Sequence, residues 1–252
     1  MSDRSAVIYY YDGSYAGFLS CVFESYAEKE MPAAILDAHA VDQISMFSAK
    51  YINTDDTRAE RVKNSIPLKL GPEAQELLEK AFLTCLPNRE MHMLRFMRLG
   101  YRVGHSVCRL MTDPRVDILL KAVKHLERES HLYLGLVRFS ECGKVLIAEI
   151  EPKNSVLPMI APHFLNRYSG EDFMIFDRTH KAAFVYRDGR PEALYADRIQ
   201  FPPASPEEYR YRAMWRTFYD TIGIESRRNE ACRRNHMPKR YWRTMTEVQH
   251  LV

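Results

Sequence analysis

The spacing of apolar positions changes character midway along the chain. Up to about residue 129 they recur mostly at three- and four-residue intervals, the mark of helices; from 132 to 201 they fall into short runs and alternations, the mark of strands. The first run, residues 6–11, is β-like, and Asp12-Gly13-Ser14 is a turn. Ser14 is placed to cap a helix over 15–29, with Phe18, Val22 and Tyr26 as its apolar stripe, and Met31-Pro32 ends it. Residues 33–55 are ambiguous, with a strand expected near 47–52. Further helices are expected near 57–64, after Gly71-Pro72, over 88–111, and from Asp113-Pro114 to about 129.

Residues 132–139 and 144–151 read as strands joined through Glu141-Cys142-Gly143. In the second, Val145, Ile147 and Glu149 alternate with Leu146, Ala148 and Ile150, so the two sets face opposite ways. A short helix follows over 156–168, restricted by Pro158 and Pro162. Strands over 173–177, 182–187 and 193–201 come next, and Pro202, Pro203 and Pro206 mark a linker. Ser205 then caps a helix with Tyr211, Trp215, Phe218, Tyr219 and Ile222 on one face. The expected class is α+β: a mostly helical N-terminal region (1–130) with one opening strand, a central antiparallel ββαββ unit (131–201), and a basic helical segment (202–252), packed as one compact protein.

Composition changes this picture little. With 46% apolar and 27% charged residues the chain reads as globular, and no apolar run is long enough for a membrane helix. The N-terminus lacks the layout of a secretory signal. Five scattered cysteines without a C-x-x-C fit reduced thiols, so the expectation is a cytoplasmic protein with no membrane contact.

Charge matters more. Residues 226–242 hold Arg227, Arg228, Arg233, Arg234, Lys239 and Arg240 against the single carboxylate Glu230, and Tyr241 and Trp242 close the segment. The segment is +5 and the whole chain +3, so the remainder is −2. Clustered cations with adjacent aromatics suit a polyanion: cations release counterions from phosphates and rings stack on bases. A solvated helix face and a core Trp242 are the bland alternative. Arg95, Arg98 and Arg102, followed by His105 and Arg109, line one helix flank and offer a second phosphate-tracking surface or simply a solvated one.

Enzyme signatures are mostly absent. There is no phosphate-binding glycine loop, no zinc spacing, no H-E-x-x-H and no serine-nucleophile elbow, so no metal and no cofactor is expected. Asp12, between a strand and a helix N-terminus, suits either a metal or base role or its own turn. His163 and Arg167 share a helix face, and Asp177 and Arg178 close the next strand. Together they suit an acid–base site on an anionic substrate or a structural salt bridge.

Several phrases carry a resemblance. Residues 11–19 (YDGSYAGFL), Gly135-Leu136-Val137-Arg138-Phe139, Pro158 with His163-Phe164 and Arg167, Ile175-Phe176-Asp177, Arg227 with Asn229, and Met237-Pro238-Lys239-Arg240-Tyr241-Trp242 resemble a bacterial family assigned to DNA metabolism or DNA repair. The likeness runs from Tyr9 to Glu247. It implies a radical S-adenosylmethionine (radical SAM) protein as partner, and relatives fused to a uracil-DNA-glycosylase-like domain. The chain lacks the C-x-x-x-C-x-x-C of a radical enzyme, so the resemblance implies an accessory role. Three readings follow: a DNA-binding accessory protein of a repair or modification system; a glycosylase- or nuclease-like enzyme using His163, Arg167, Asp177 and Arg178; or a subunit that recruits the radical enzyme, with Tyr9, Tyr10, Tyr11 and Tyr15 as an aromatic docking surface.

Overall fold

A computed structural model describes residues 7–39, 48–199, 201, 204–224, 226 and 229–248. The class is α+β, with helices dominating the N-terminal half and a five-stranded sheet in the middle. The chain divides into two compact units, Met1–His125 and Leu126–Val252.

In the first unit β1 (Val7–Tyr11) lies between β2 (Ala34–Asp37) and β3 (Ser48–Tyr51), all parallel. The crossover from β1 to β2 is α1 (Tyr15–Ala27), which starts where Ser14 predicts: its Oγ accepts from the Gly17 amide at 2.9 Å. Helices α2 (Asp56–Lys69), α3 (Pro72–Phe82) and α4 (Arg89–Val103) build the core with α1, joined by Val107, Val116, Leu119 and Val123. Because β1 is the central strand, Tyr9, Tyr10 and Tyr11 are buried. They form core, not the docking surface suggested by their run in the sequence.

Helix α5 runs over Pro114–Leu136, past its expected end. Leu132, Leu134 and Leu136 alternate like a strand, but burial of Leu126, Glu129, Ser130 and Tyr133 follows helical spacing, and that periodicity prevails. Strand β4 is therefore only Phe139–Cys142.

The sheet of the second unit has the order β4-β5-β6-β7-β8, with β5 (Val145–Ile150), β6 (Asp172–Asp177), β7 (Ala182–Arg187) and β8 (Arg190–Tyr195). Three of the four pairings are antiparallel; the fourth, β5 with β6, is parallel, which corrects the expected wholly antiparallel unit, because α6 (Leu157–Arg167) crosses between them. The alternation in β5 sets the two faces. Ala148 and Ile150 lie on the buried side with Phe173 and Ile175, where Phe139, Phe164, Tyr168 and Phe173 pack as an aromatic cluster with centroids 4.9–6.4 Å apart. Ile147 and Glu149 point the other way, with Ser140 and Cys142 of β4. Over that side come α7 (Pro206–Ile222), capped by Ser205, and a short 3-10 turn, Lys239–Thr244; between these two in sequence lies α8 (Glu230–His236).

Candidate functional site

Asp12 closes its own turn. Its carboxylate accepts from the Ser14 amide at 3.0 Å, from Ser14 Oγ at 2.7 Å and from Thr54 Oγ1 at 2.7 Å, tying the ends of β1 and β3 to the start of α1. Partial burial works against its charge, but these donors hold its carboxyl below the usual range. An added Cβ on Gly17 would lie 2.2 Å from Asp12 Oδ1, so the close approach requires glycine.

The four residues offered as an acid–base site are engaged separately. His163 is exposed on α6, its ring edge against Phe164 at 5.1 Å, and Arg167 is exposed with its guanidinium over Tyr168. Asp177 is buried and accepts from the amides of Thr179 and His180 and from His180 Nδ1 at 2.7 Å, which fixes the β6–β7 turn. Arg178 pairs with Glu149 at 3.1 Å and Glu151 at 3.4 Å.

The cationic rows are interrupted in the same way. Arg95 and Arg102 on α4 are exposed, whereas Arg98 turns inward to the carbonyls of Ser25 and Glu30 and lies over Tyr26. In the C-terminal segment Arg227 and Arg228 lie outside the described residues. Arg233 pairs with Glu230 at 2.7 Å and covers Trp242. Arg240 pairs with the buried Glu129 at 3.0 Å. Arg234 and Lys239 are exposed, the latter beside the Trp242 ring. Tyr241 and Trp242 are each 2% exposed, and their rings are core anchors that no base can reach. The stacking role expected of them is corrected accordingly: an amphipathic turn buries its largest rings first.

Other residues converge instead. Beneath α7 and the Lys239–Thr244 turn, the outward face of β4 and β5 floors a polar cleft of about 290 Å³. Arg138, Arg212 and Arg243 line it, with the hydroxyl side chains Ser140, Tyr209, Thr244 and Thr246. Buried carboxylates position two of the arginines. Glu247 takes Arg138 through Nη2 at 2.6 Å and Nε at 3.2 Å, and the other Arg138 nitrogen donates to the carbonyls of Gly135 and Val137. Glu208 takes Arg212 Nε at 2.7 Å, while Arg212 Nη2 donates to Ser140 Oγ at 2.6 Å. Arg243 reaches Glu151 at 3.3 Å but leaves 62% of its side chain exposed.

Burial would push the Glu247 carboxyl up; the hydrogen bond from Arg138, with help from Trp215, outweighs it and holds the group below its ordinary value. Glu129 behaves alike: burial opposes its charge, but the amides of Lys153 and Asn154, the Asn154 side chain and Arg240 more than compensate. Both are therefore fixed anions at neutral pH. The one thiol in the cleft, Cys142, is pushed up by burial and by Glu208, so it is protonated and a poor nucleophile. The lining thus combines preoriented arginine and hydroxyl donors, suited to holding an anion, with one carboxylate, Glu149, which is paired with Arg178. Among the described residues no group of three or more His, Cys, Asp or Glu is placed to hold a metal ion, and no helix is long and apolar enough to cross a membrane.

Sequence reasoning missed this cleft. Arg138, Arg212 and Arg243 are scattered over more than a hundred positions, with only Arg243 next to the basic run; Arg138 and Glu247 fell within the family-like stretches, which was the other available signal.

A comparison with curated proteins finds no significant match. A family model described as "Domain of unknown function (DUF4130)" matches residues 87–247, which include every residue of the cleft. Since that match covers well over half of the sequence, the chain belongs to the DUF4130 family.

Proposed function

We propose that the chain is an accessory protein of a DNA repair or DNA modification system, which holds nucleic acid by its phosphates and works beside a radical SAM protein. The observation that carries the binding role is the convergence of Arg138, Arg212 and Arg243 with four hydroxyl side chains on one cleft. Guanidinium groups and hydroxyls are the usual ligands of phosphate oxygens, and Arg suits them through its paired, planar donors. Two of the three are locked in place before any ligand arrives, which lowers the ordering cost of binding. The repair setting and the radical partner are supported by the family resemblance alone.

Binding of labelled single-stranded and duplex DNA to the full chain at low salt is the test. The reading expects micromolar or tighter association, strongly weakened in Arg243→Glu with the thermal transition retained. No association with either DNA would refute it. Co-purification of the neighbouring radical protein without DNA tests the partner role separately.

A further inference from the structure

Among the described residues, nothing covers most of the apolar face of helix α7. Tyr211, Met214, Trp215, Phe218 and Ile222 follow three- and four-residue spacing, yet they are 40–64% exposed, and Glu208 is the only buried residue of the helix. The Trp215 and Phe218 rings stack on each other at 5.6 Å and 30°, forming an exposed aromatic pair. Trp215 is fixed from behind: its Nε1 donates to Glu247 at 3.2 Å, and Arg138 lies 5.9 Å from its ring. Beside this face runs an open, largely apolar groove lined also by Gly135, Phe139 and Glu208, the last paired with Arg212. It shares Arg138, Arg212 and Thr246 with the polar cleft, so the two are continuous.

We infer that the groove takes the bases of an unpaired nucleic-acid strand whose phosphates lie in the adjoining cleft. The inference rests on the nucleic-acid reading of that cleft. A ligand for the whole surface must be anionic at one edge and flat and apolar at the other, on one backbone. Bases within a duplex have both faces stacked on their neighbours; an unpaired base offers a face to an aromatic ring. A partner helix laid on α7 would cover the apolar stripe but leave the arginine cleft unused. An unpaired strand uses both, and Arg138 serves each, lining the cleft and backing the Trp215 ring.

The full chain is titrated with a dT oligonucleotide, a duplex of equal length and an abasic oligonucleotide of the same backbone. Of the two tryptophans Trp242 is buried, so quenching reports Trp215. The dT strand is expected to quench and to bind at least ten-fold more tightly than the abasic strand or the duplex. Tyr211→Ala and Phe218→Ala should each weaken dT binding by about ten-fold, with abasic binding unchanged. Phe218→Leu keeps the apolar surface without the ring and should show the same loss, separating stacking from stability. Trp215→Phe should abolish the quenching. Equal binding of dT and abasic strands, or of duplex, overturns the inference while leaving the phosphate cleft standing. No binding of any of the three refutes both. If the variants alter only self-association or capture of a protein partner, and dT binding is unmoved, the face is a protein interface and the inference is wrong.

Discussion

Arg138 and Glu247, 109 positions apart, meet through two hydrogen bonds, Nη2 to Oε1 at 2.6 Å and Nε to Oε2 at 3.2 Å. Glu247 is nearly inaccessible, and its Oε2 also accepts from Trp215. One carboxylate near the end of the family-matched region thus orients an arginine of the cleft and a ring of the adjoining groove.

Breaking this pair should be costly. Arg138→Ala leaves a buried carboxylate without its cation, and an unfolding loss of about 3 kcal/mol is expected, near the low end for buried pairs because Arg138 is 26% exposed. The double change Arg138→Met with Glu247→Leu should recover most of it. Urea unfolding of the three proteins measures this; a negligible loss in Arg138→Ala would show that the pair is ornamental.

Acid should loosen the second unit. Glu129 and Glu247 titrate lower in the folded chain than their ordinary value because surrounding donors outweigh the effect of burial. In the unfolded chain such groups titrate near ~4.3. The unfolded state therefore takes up protons first as pH falls. The stability contributed by these carboxylates is complete above about pH 5 and is lost as pH drops through ~4.3 and on through the lower folded values. Urea midpoints measured from pH 6 to pH 3 should fall, and Glu129→Gln with Glu247→Gln should flatten that fall while lowering the midpoint at pH 6. A slope identical in the double variant would assign the acid sensitivity to other groups.

In the first unit, Gly17→Ala should destabilise by about 1–3 kcal/mol, the cost of forcing atoms into a filled site. The methyl would meet Asp12 Oδ1 at 2.2 Å and Thr54 Oγ1 at 2.8 Å. Asp12→Asn should be milder, because it keeps the shape and part of the hydrogen bonding. Thermal unfolding of both decides; an unchanged midpoint in Gly17→Ala would mean that the turn shifts freely.

His163→Ala should leave the thermal transition within about 0.5 kcal/mol of the parent, as expected for an exposed position. Asp177→Ala should destabilise clearly, because two amides and His180 lose their acceptor. The reverse ranking would contradict the separate surroundings described for these residues.

Much of the architecture was legible in the sequence because it is local. Ser14 and Ser205 announced helix starts, and alternation in residues 145–150 announced a two-faced strand, of which the face with Ile147 and Glu149 lines the cleft. The short strand β2 was not legible: Ala34–Asp37 is too brief for periodicity, and its place comes from parallel pairing with β1. The extension of α5 through residues 132–136 was hidden for the opposite reason, since its leucines alternate and only tertiary burial selects the helix. The charge cluster of residues 226–242 was visible, but not its division. Which arginine meets a buried glutamate depends on Glu129, about a hundred residues away from Arg240. An apolar face of α7 was legible in Tyr211, Trp215, Phe218, Tyr219 and Ile222; that, among the described residues, it stays largely exposed with Tyr219 half-buried is a tertiary fact.

The central claim is that the cleft holds phosphates, and the salt dependence of single-strand binding tests it most directly. Two or three phosphate contacts predict a slope of log K against log salt of about −1.4 to −2.1, and Arg243→Glu should reduce its magnitude by about 0.7 or more. Affinity that ignores salt, or a slope unchanged in Arg243→Glu, would contradict the account.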